Sequence, residues 1–382
     1  MMRLLSPNEA KFWLLDQVAP TNSIVVLQRA EGGFPMQAPP GFDLPVARLG
    51  RRARPRWTAA TRPGVMARIT LAAEADWVGV AEDLLDARIG TDDNPPWQAV
   101  VADHPGGQTL LLAVSHALTD YRTALAIGRA FAEGTPVGDL APACEELLPG
   151  RVFADAEAGD LIEGWWSDRA GARWEALGLQ RLTAILPPAS RTQLTLHRYD
   201  ETETARILER CDAEGASLNS ALAIALRDAA GTDACAFSVD LSRFIRPALP
   251  PGPGMAISHV YADLAPGEFW ESARDNRAVV FERIEGGEAG DSLLILPRLL
   301  QRPGTPPEWR RSGLTITGAP TWRAAGEDGY DQQLVLSAAR AGGGVVIPTL
   351  WRGQLQLLGC SPEDDVAMPL ASLAAALLRA CD

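Results

Sequence analysis

Leu110-Leu111-Leu112-Ala113-Val114-Ser115-His116-Ala117-Leu118-Thr119-Asp120-Tyr121 is the stretch on which the reading of this chain turns. Its first half is a short apolar run, which suits a strand buried on both faces. The run stops at Ser115-His116. From Leu118 the spacing changes, and Leu118, Tyr121, Ala124, Leu125, Gly128 and Phe131 predict a helix that Gly134 and Pro136 end. A histidine delivered to a strand–helix junction, with an acid four residues on, is one way to hold a general base. The local pattern also suits a turn histidine without chemistry, with Asp120 present because an acid favours a helix start.

Working outward, Trp97 to Ala102 and Gln108 to Val114 predict a β-hairpin around Asp103-His104-Pro105-Gly106-Gly107, which makes His104 a turn residue. Upstream, Ser6-Pro7-Asn8-Glu9 reads as a capping box opening a helix to about Gln17, followed by a strand from Ser23 to Gln28. After a turn-rich segment, Phe42 to Arg52 predicts a helix leading into a basic cluster of Arg51, Arg52, Arg54 and Arg56. Gly64 to Ala72 predicts a strand, and Asp76 to Ile89 an amphipathic helix.

Downstream, Asp160 to Leu177 predicts a helix carrying Trp165, Trp166 and Trp174, and Leu182 to Arg191 is the best linker candidate. Two units follow, residues 1–180 and 181–382. The second opens with a strand, Gln193 to Tyr199, holding His197, and a capped helix from Asp200 to Cys211. Next come the Ala-rich helix from Gly215 to Leu226, a strand from Phe237 running into Arg243 and Arg246, and a strand from Ala256 to Asp263 carrying His259. Glu268 to Ile284 and Asp291 to Leu300 predict helices, and Arg310-Arg311 end a basic loop. Leu314 to Gly318 predicts a strand. Gln333 to Arg340 and Gly344 to Trp351 predict a hairpin, joined by Gln354 to Gly359, and Ser361 caps a last helix. Strands alternating with helices make the fold class α/β (α+β).

The bulk properties narrow the function. A chain of 382 residues, 47% hydrophobic and 22% charged, is long enough for two cores and ordinary for a globular protein. A net charge of −13 and a pI near 4.9 argue against broad nucleic-acid or anionic-membrane binding. Lys11 is the one lysine, so nearly all positive charge is arginine. Five cysteines without a Cys-x-x-Cys pair suit a reducing cytoplasm and no structural metal. Polar residues Asn8, Glu9, Lys11 and Asp16 interrupt the N-terminus, which therefore reads as neither a signal peptide nor a membrane span.

Four motifs carry a resemblance. The segment Ser115-His116-Ala117-Leu118-Thr119-Asp120-Tyr121 resembles the His-His-x-x-x-Asp-Gly signature of the condensation-domain and CoA-dependent acyltransferase superfamily, with Ser115 and Tyr121 departing from it. The Gly215-Ala216-Ser217-Leu218-Asn219 step before an Ala-rich helix, the strand from Phe237 to Asp240 followed by Arg243, and the Leu-Ser-x-x-Glu opening resemble further family features. The resemblance is nearest to stand-alone polyketide-associated acyltransferases of bacteria. It implies two chloramphenicol-acetyltransferase-like lobes packed in a V, with a channel at their interface.

The resemblance further implies that His116 is the base and that Asp120, paired with Arg243, fixes its loop. Ser115, Tyr121, Thr315, Thr317 and His259 would line the channel, and Arg51, Arg52, Arg310 and Arg311 would meet donor phosphates. An acyl-CoA or phosphopantetheinyl thioester would be the co-substrate. Its acyl group would pass to an alcohol or amine of a natural-product-like small molecule, on a monomer with no permanently bound cofactor. Two other readings use the same motifs: a non-catalytic recruiter of a carrier-bound intermediate, and a cyclase or eliminase.

Overall fold

A computed structural model describes residues 3–50, 54–167, 191–249, 252–301, 314–318, 323–324, 330, 332–337, 344–351, 353–362 and 369–382. The first lobe is built from α1 (Pro7–Val18), β1 (Asn22–Arg29), β2 (Val46–Leu49), β3 (Pro55–Thr58), β4 (Val65–Thr70), α2 (Trp77–Leu85), β5 (Trp97–His104), β6 (Gly107–Ser115) and α3 (Tyr121–Glu133). Two short helices, α4 (Cys144–Leu147) and α5 (Ala158–Trp166), lead out of it. The second lobe holds β7 (Thr192–Arg198), α6 (Glu201–Ala213), α7 (Leu218–Ala230), β8 (Ala234–Asp240), β9 (Ile257–Asp263) and α8 (Phe269–Glu285). It continues through α9 (Glu288–Asp291), α10 (Ile295–Gln301), β10 (Leu314–Ile316), β11 (Arg323–Ala324), β12 (Gln332–Ser337), β13 (Gly344–Trp351), β14 (Gln354–Pro362) and α11 (Leu370–Ala380).

Each lobe is organised round one mixed sheet. The first runs β12-β1-β6-β5-β4, and the second β7-β14-β13-β10-β8-β9, with β11 against β13. The quoted apolar run is β6, and alternation sorts its side chains. Leu110, Leu112 and Val114 pack with Val25, Leu27, Trp13 and Phe131 under α1 and α3. Leu111 and Ala113 face the other way, with Ile24 and Val26, onto α2 and onto Leu194, Ile347 and Leu358 of the second sheet. Both faces are therefore buried, which is why the sequence shows an unbroken apolar run. The Ala-rich α7 is buried along most of its length in the second lobe's core, among Phe237, Val260 and Leu377. Ser217 caps its start, and Gly231 closes it in the left-handed conformation at φ 66°.

The capped helices and the β5–β6 hairpin lie where the sequence puts them. Three expectations fail. Residues 42–50 hold no helix. Val46–Leu49 is instead a strand pairing antiparallel with Pro55–Thr58, and it carries Arg48 opposite Arg56. The predicted hairpin of 333–351 does not form. Gln332–Ser337 crosses to the first lobe and pairs antiparallel with β1, Val25 facing Val335, while β13 pairs with β10 and β14. Leu334 and Leu336 have no solvent exposure in that position, so shared apolar burial outweighs the local turn preference. Ser361 ends β14 rather than capping a helix, and the last helix begins at Leu370. The proposed 180/181 boundary and Trp174 lie outside the described residues.

Because β12 comes from the second half yet completes the first sheet, the two lobes should unfold together. Leu334→Ala, at a site with no solvent exposure, should cost about 2–5 kcal/mol. In urea titration it should lower the midpoint while leaving one transition; two separated transitions would contradict the interlock.

Candidate active site

β6 ends at Ser115, and His116 is the next residue. Its backbone N–H donates to the Thr21 carbonyl at 2.8 Å, which ties the turn to the end of α1. The imidazole Nδ1 lies 2.7 Å from the Thr119 carbonyl. A carbonyl only accepts, so Nδ1 carries the proton and Nε2 keeps its lone pair. On its flank the ring meets Phe12 of α1, centroid to centroid 4.3 Å with a 37° tilt. The residue is half-buried. Burial holds its pKa below the ordinary value; the Thr119 contact and the Asp120 charge oppose this, and Lys11 adds to it. Neutral at physiological pH and with one fixed tautomer, His116 can accept a proton at Nε2.

Asp120 caps α3 reciprocally with Thr123. Oδ1 accepts the Thr123 N–H at 2.9 Å, and Thr123 Oγ1 accepts the Asp120 N–H at 2.9 Å. The other carboxylate oxygen reaches across the lobe seam and accepts the Ala256 N–H at 2.9 Å. Thr123 Oγ1 also lies 2.8 Å from the Gly254 carbonyl, and Thr119 forms a bridge with Gly254. The segment before β9 is thus docked on the histidine turn. The expected Asp120–Arg243 ion pair is absent from this arrangement. Arg243 is exposed with its guanidinium over the Phe244 ring, 4.8 Å from the centroid. Helix-start N–H groups and the Ala256 amide satisfy the carboxylate without a cation. Arg246 is exposed as well and donates to its neighbour's carbonyl.

Ser115 is also corrected. It shares the parity of Leu111 and Ala113, is fully buried, and accepts the Ala117 N–H at Oγ. Gly90, at φ 69°, fits against it so closely that a Cβ there would lie 2.5 Å from the Ser115 Cβ. Ser115 therefore faces the α2 side, away from the imidazole. Tyr121 begins α3, half-buried against the first lobe's core, and burial raises its hydroxyl to about 12. Thr315 and Thr317 are half-buried at the end of β10, where Thr317 N–H donates to the Val346 carbonyl. Arg51, Arg52, Arg310 and Arg311 lie outside the described residues. Of the neighbouring arginines, Arg54 donates to the Trp165 and Ser167 carbonyls and so holds structure.

His259 lies on β9 of the opposite lobe, where it feels the charges of Lys11 and His116. Along β9, Ser258, Val260 and Ala262 face the second lobe's core, while Ile257, His259 and Tyr261 occupy the more open face. Burial, then the charges of Lys11 and His116, push the His259 pKa to about 3. Lys11, a further basic group, carries no positional signal in the sequence beyond being the single lysine. It lies on α1 beside Phe12, one turn after Asn8, whose side-chain amide donates to the Ile257 carbonyl at 2.8 Å. Among the described residues no group of three or more His, Cys, Asp or Glu side chains is placed to hold a metal ion, and no helix is long and apolar enough to cross a membrane.

No protein-family model matches the sequence, and no curated protein does. Solved structures do match over the whole chain. The first condensation domain of the calcium-dependent antibiotic synthetase, in complex with a substrate analogue, is 15% identical with a TM-score of 0.64; the alignment covers 100% of this chain and 97% of that one. The epimerization domain from the third module of tyrocidine synthetase B is 13% identical with a TM-score of 0.61, again covering 100% and 97%. Polyketide synthase associated protein 5 from Mycobacterium tuberculosis is 14% identical with a TM-score of 0.60 over the same shares. The chain thus shares the fold of these condensation and epimerization domains.

Asp120→Ala removes a helix cap and strands the buried Ala256 N–H, which together should cost on the order of 3 kcal/mol. Arg243→Ala should leave the urea midpoint where it is. Equal losses in the two variants would restore the ion pair that the geometry replaces.

Proposed function

We propose that this chain is an acyltransferase that moves an acyl group from a CoA or carrier-protein thioester to an alcohol or amine of a natural-product-like acceptor, with His116 as the general base. The observation that carries the reading is the imidazole itself: Nδ1 donates to the Thr119 carbonyl, and Nε2 has no hydrogen-bond partner among the described residues. The fold shared with condensation domains supports the reaction class.

In the proposed step Nε2 takes the proton of the acceptor's hydroxyl or amine as its oxygen or nitrogen attacks the thioester carbonyl. The tetrahedral intermediate expels the thiolate, and the imidazolium returns the proton to sulfur. An ester or amide and a free thiol result, with no acyl-enzyme and no redox change. Asp120 acts as a positioning residue through the loop it ties down. A positioned base contributes about 10²–10⁴-fold, and holding two substrates in one geometry adds to it. Thr315 and Thr317 are proposed to line the site with Tyr121 and His259. Five cysteines, none of them in a disulfide, agree with work in a reducing cytoplasm.

The test is release of free thiol from short- and long-chain acyl-CoAs, with and without alcohol or amine acceptors. His116→Ala should stay folded and lose about 10²–10⁴ in rate. Because burial lowers the imidazole pKa, the neutral base persists below the usual titration range. The acid limb of kcat/KM should therefore fall with an apparent pKa under 6.5, the ordinary histidine value. Turnover unchanged in folded His116→Ala would mean another base; substrate binding with no thiol release would favour the recruiter.

A further inference from the structure

Lys11 is a charged side chain in a place that a solvated lysine does not occupy. Only 8% of its surface is exposed, and it has no hydrogen-bond or ion-pair partner among the described residues. Its Nζ lies 5.0 Å from the Phe12 ring, and that ring is 4.3 Å from the His116 imidazole, so ammonium and imidazole are within about 9.3 Å of one another. His259 lies on the more open face of β9 in the opposite lobe, two residues beyond Ile257, to which Asn8 of α1 donates, and it feels the charges of Lys11 and His116. The carboxylate whose charge acts on Lys11 is Glu145, and the oxygens of that group are already committed. Oε1 accepts from Ser6 Oγ and the Asn8 N–H, both at 2.9 Å, and Oε2 accepts from Cys144 Sγ. Burial raises the pKa of both Glu145 and Cys144, which weakens them further as counter-charges.

A lysine side chain this enclosed, with no ion-pair partner among the described residues, is costly to keep charged, and a bound anion would supply the missing charge. We propose that Lys11, with His259 opposite it, forms an anion-binding subsite beside His116, and that one of the two substrates meeting at this base carries a carboxylate near its reacting atom. The phosphates of CoA or a phosphopantetheine arm stand a full pantetheine length from the thioester sulfur. They therefore cannot reach a subsite this close to the base while the thioester sits at His116. Burial holds the Lys11 ammonium down to about 8, so at neutral pH it remains largely charged and ready to pair. The neighbouring imidazoles, both held neutral by burial and by Lys11 itself, do not compete with it for the anion's charge. Which substrate bears the carboxylate rests on the acyl-transfer reading; the existence of the subsite does not.

The chain's single lysine supplies its own probe. The full chain labelled with ¹³C-lysine has one Cε resonance, which reports Lys11 directly. It should shift on titration with butyrate and stay still with butyramide, its uncharged analogue. In calorimetry butyrate should bind at least tenfold more tightly than butyramide, and Lys11→Met or Lys11→Gln should remove that preference while His116→Ala keeps it. A resonance that does not respond to butyrate, or equal binding of the acid and the amide, overturns the proposal without touching acyl transfer. Inorganic phosphate moving the resonance where butyrate does not would overturn the carboxylate assignment. A wild-type chain that never releases thiol yet passes the butyrate test would refute the acyl-transfer reading alone.

Discussion

The two oxygens of the Asp120 carboxylate hold together parts of the chain that are far apart in sequence. One caps α3 through Thr123, and the other accepts the Ala256 amide from the opposite lobe. Between them they fix the turn in which Thr119 presents its carbonyl to His116. The carboxylate is buried, so each of its bonds matters: an unmet amide on either side carries a full desolvation cost. The seam between the lobes and the orientation of the imidazole are therefore consequences of one acid.

That orientation is chemically specific. A carbonyl partner on Nδ1 leaves the lone pair on Nε2, whereas a carboxylate partner would also have raised the basicity of the ring. Here the surroundings push the other way. Half-burial, the Phe12 ring and the nearby Lys11 charge keep the imidazole neutral. The acid can support the geometry of the turn without touching the imidazole, which needs no charged relay to hold this tautomer.

The lobes are also interlocked by exchange of structure. β12 leaves the second half to complete the first sheet beside β1, and Leu111 and Ala113 of β6 share a core with Leu194, Ile347 and Leu358 of the second sheet. At the other side of the seam, Glu145 accepts from Ser6 and Asn8 at the start of α1, and Asn8 reaches Ile257 at the start of β9. The start of α1 is thus held by α4 and by β9 together. The helix carries Phe12 and Lys11 to the histidine, so the position of those two side chains depends on both lobes.

Local order was legible in the sequence because the interactions that create it lie a few residues apart. The Ser6 and Asp200 capping boxes, the β5–β6 hairpin, the Ala-rich α7 and the junction at His116 are each written in one short unbroken stretch of chain. The tertiary structure alone decided what depends on partners far along the chain. Gln332–Ser337 went to β1 because that sheet buries Leu334 and Leu336; Ser115 turned inward because of strand parity; Arg243 stayed in solvent because backbone amides already satisfied Asp120. Lys11 is the sharpest case. Composition identified it as the single lysine, but only the docking of α1, with Phe12 against His116, placed an enclosed charge near the candidate base, since burial is a property of the assembled lobes and not of any segment.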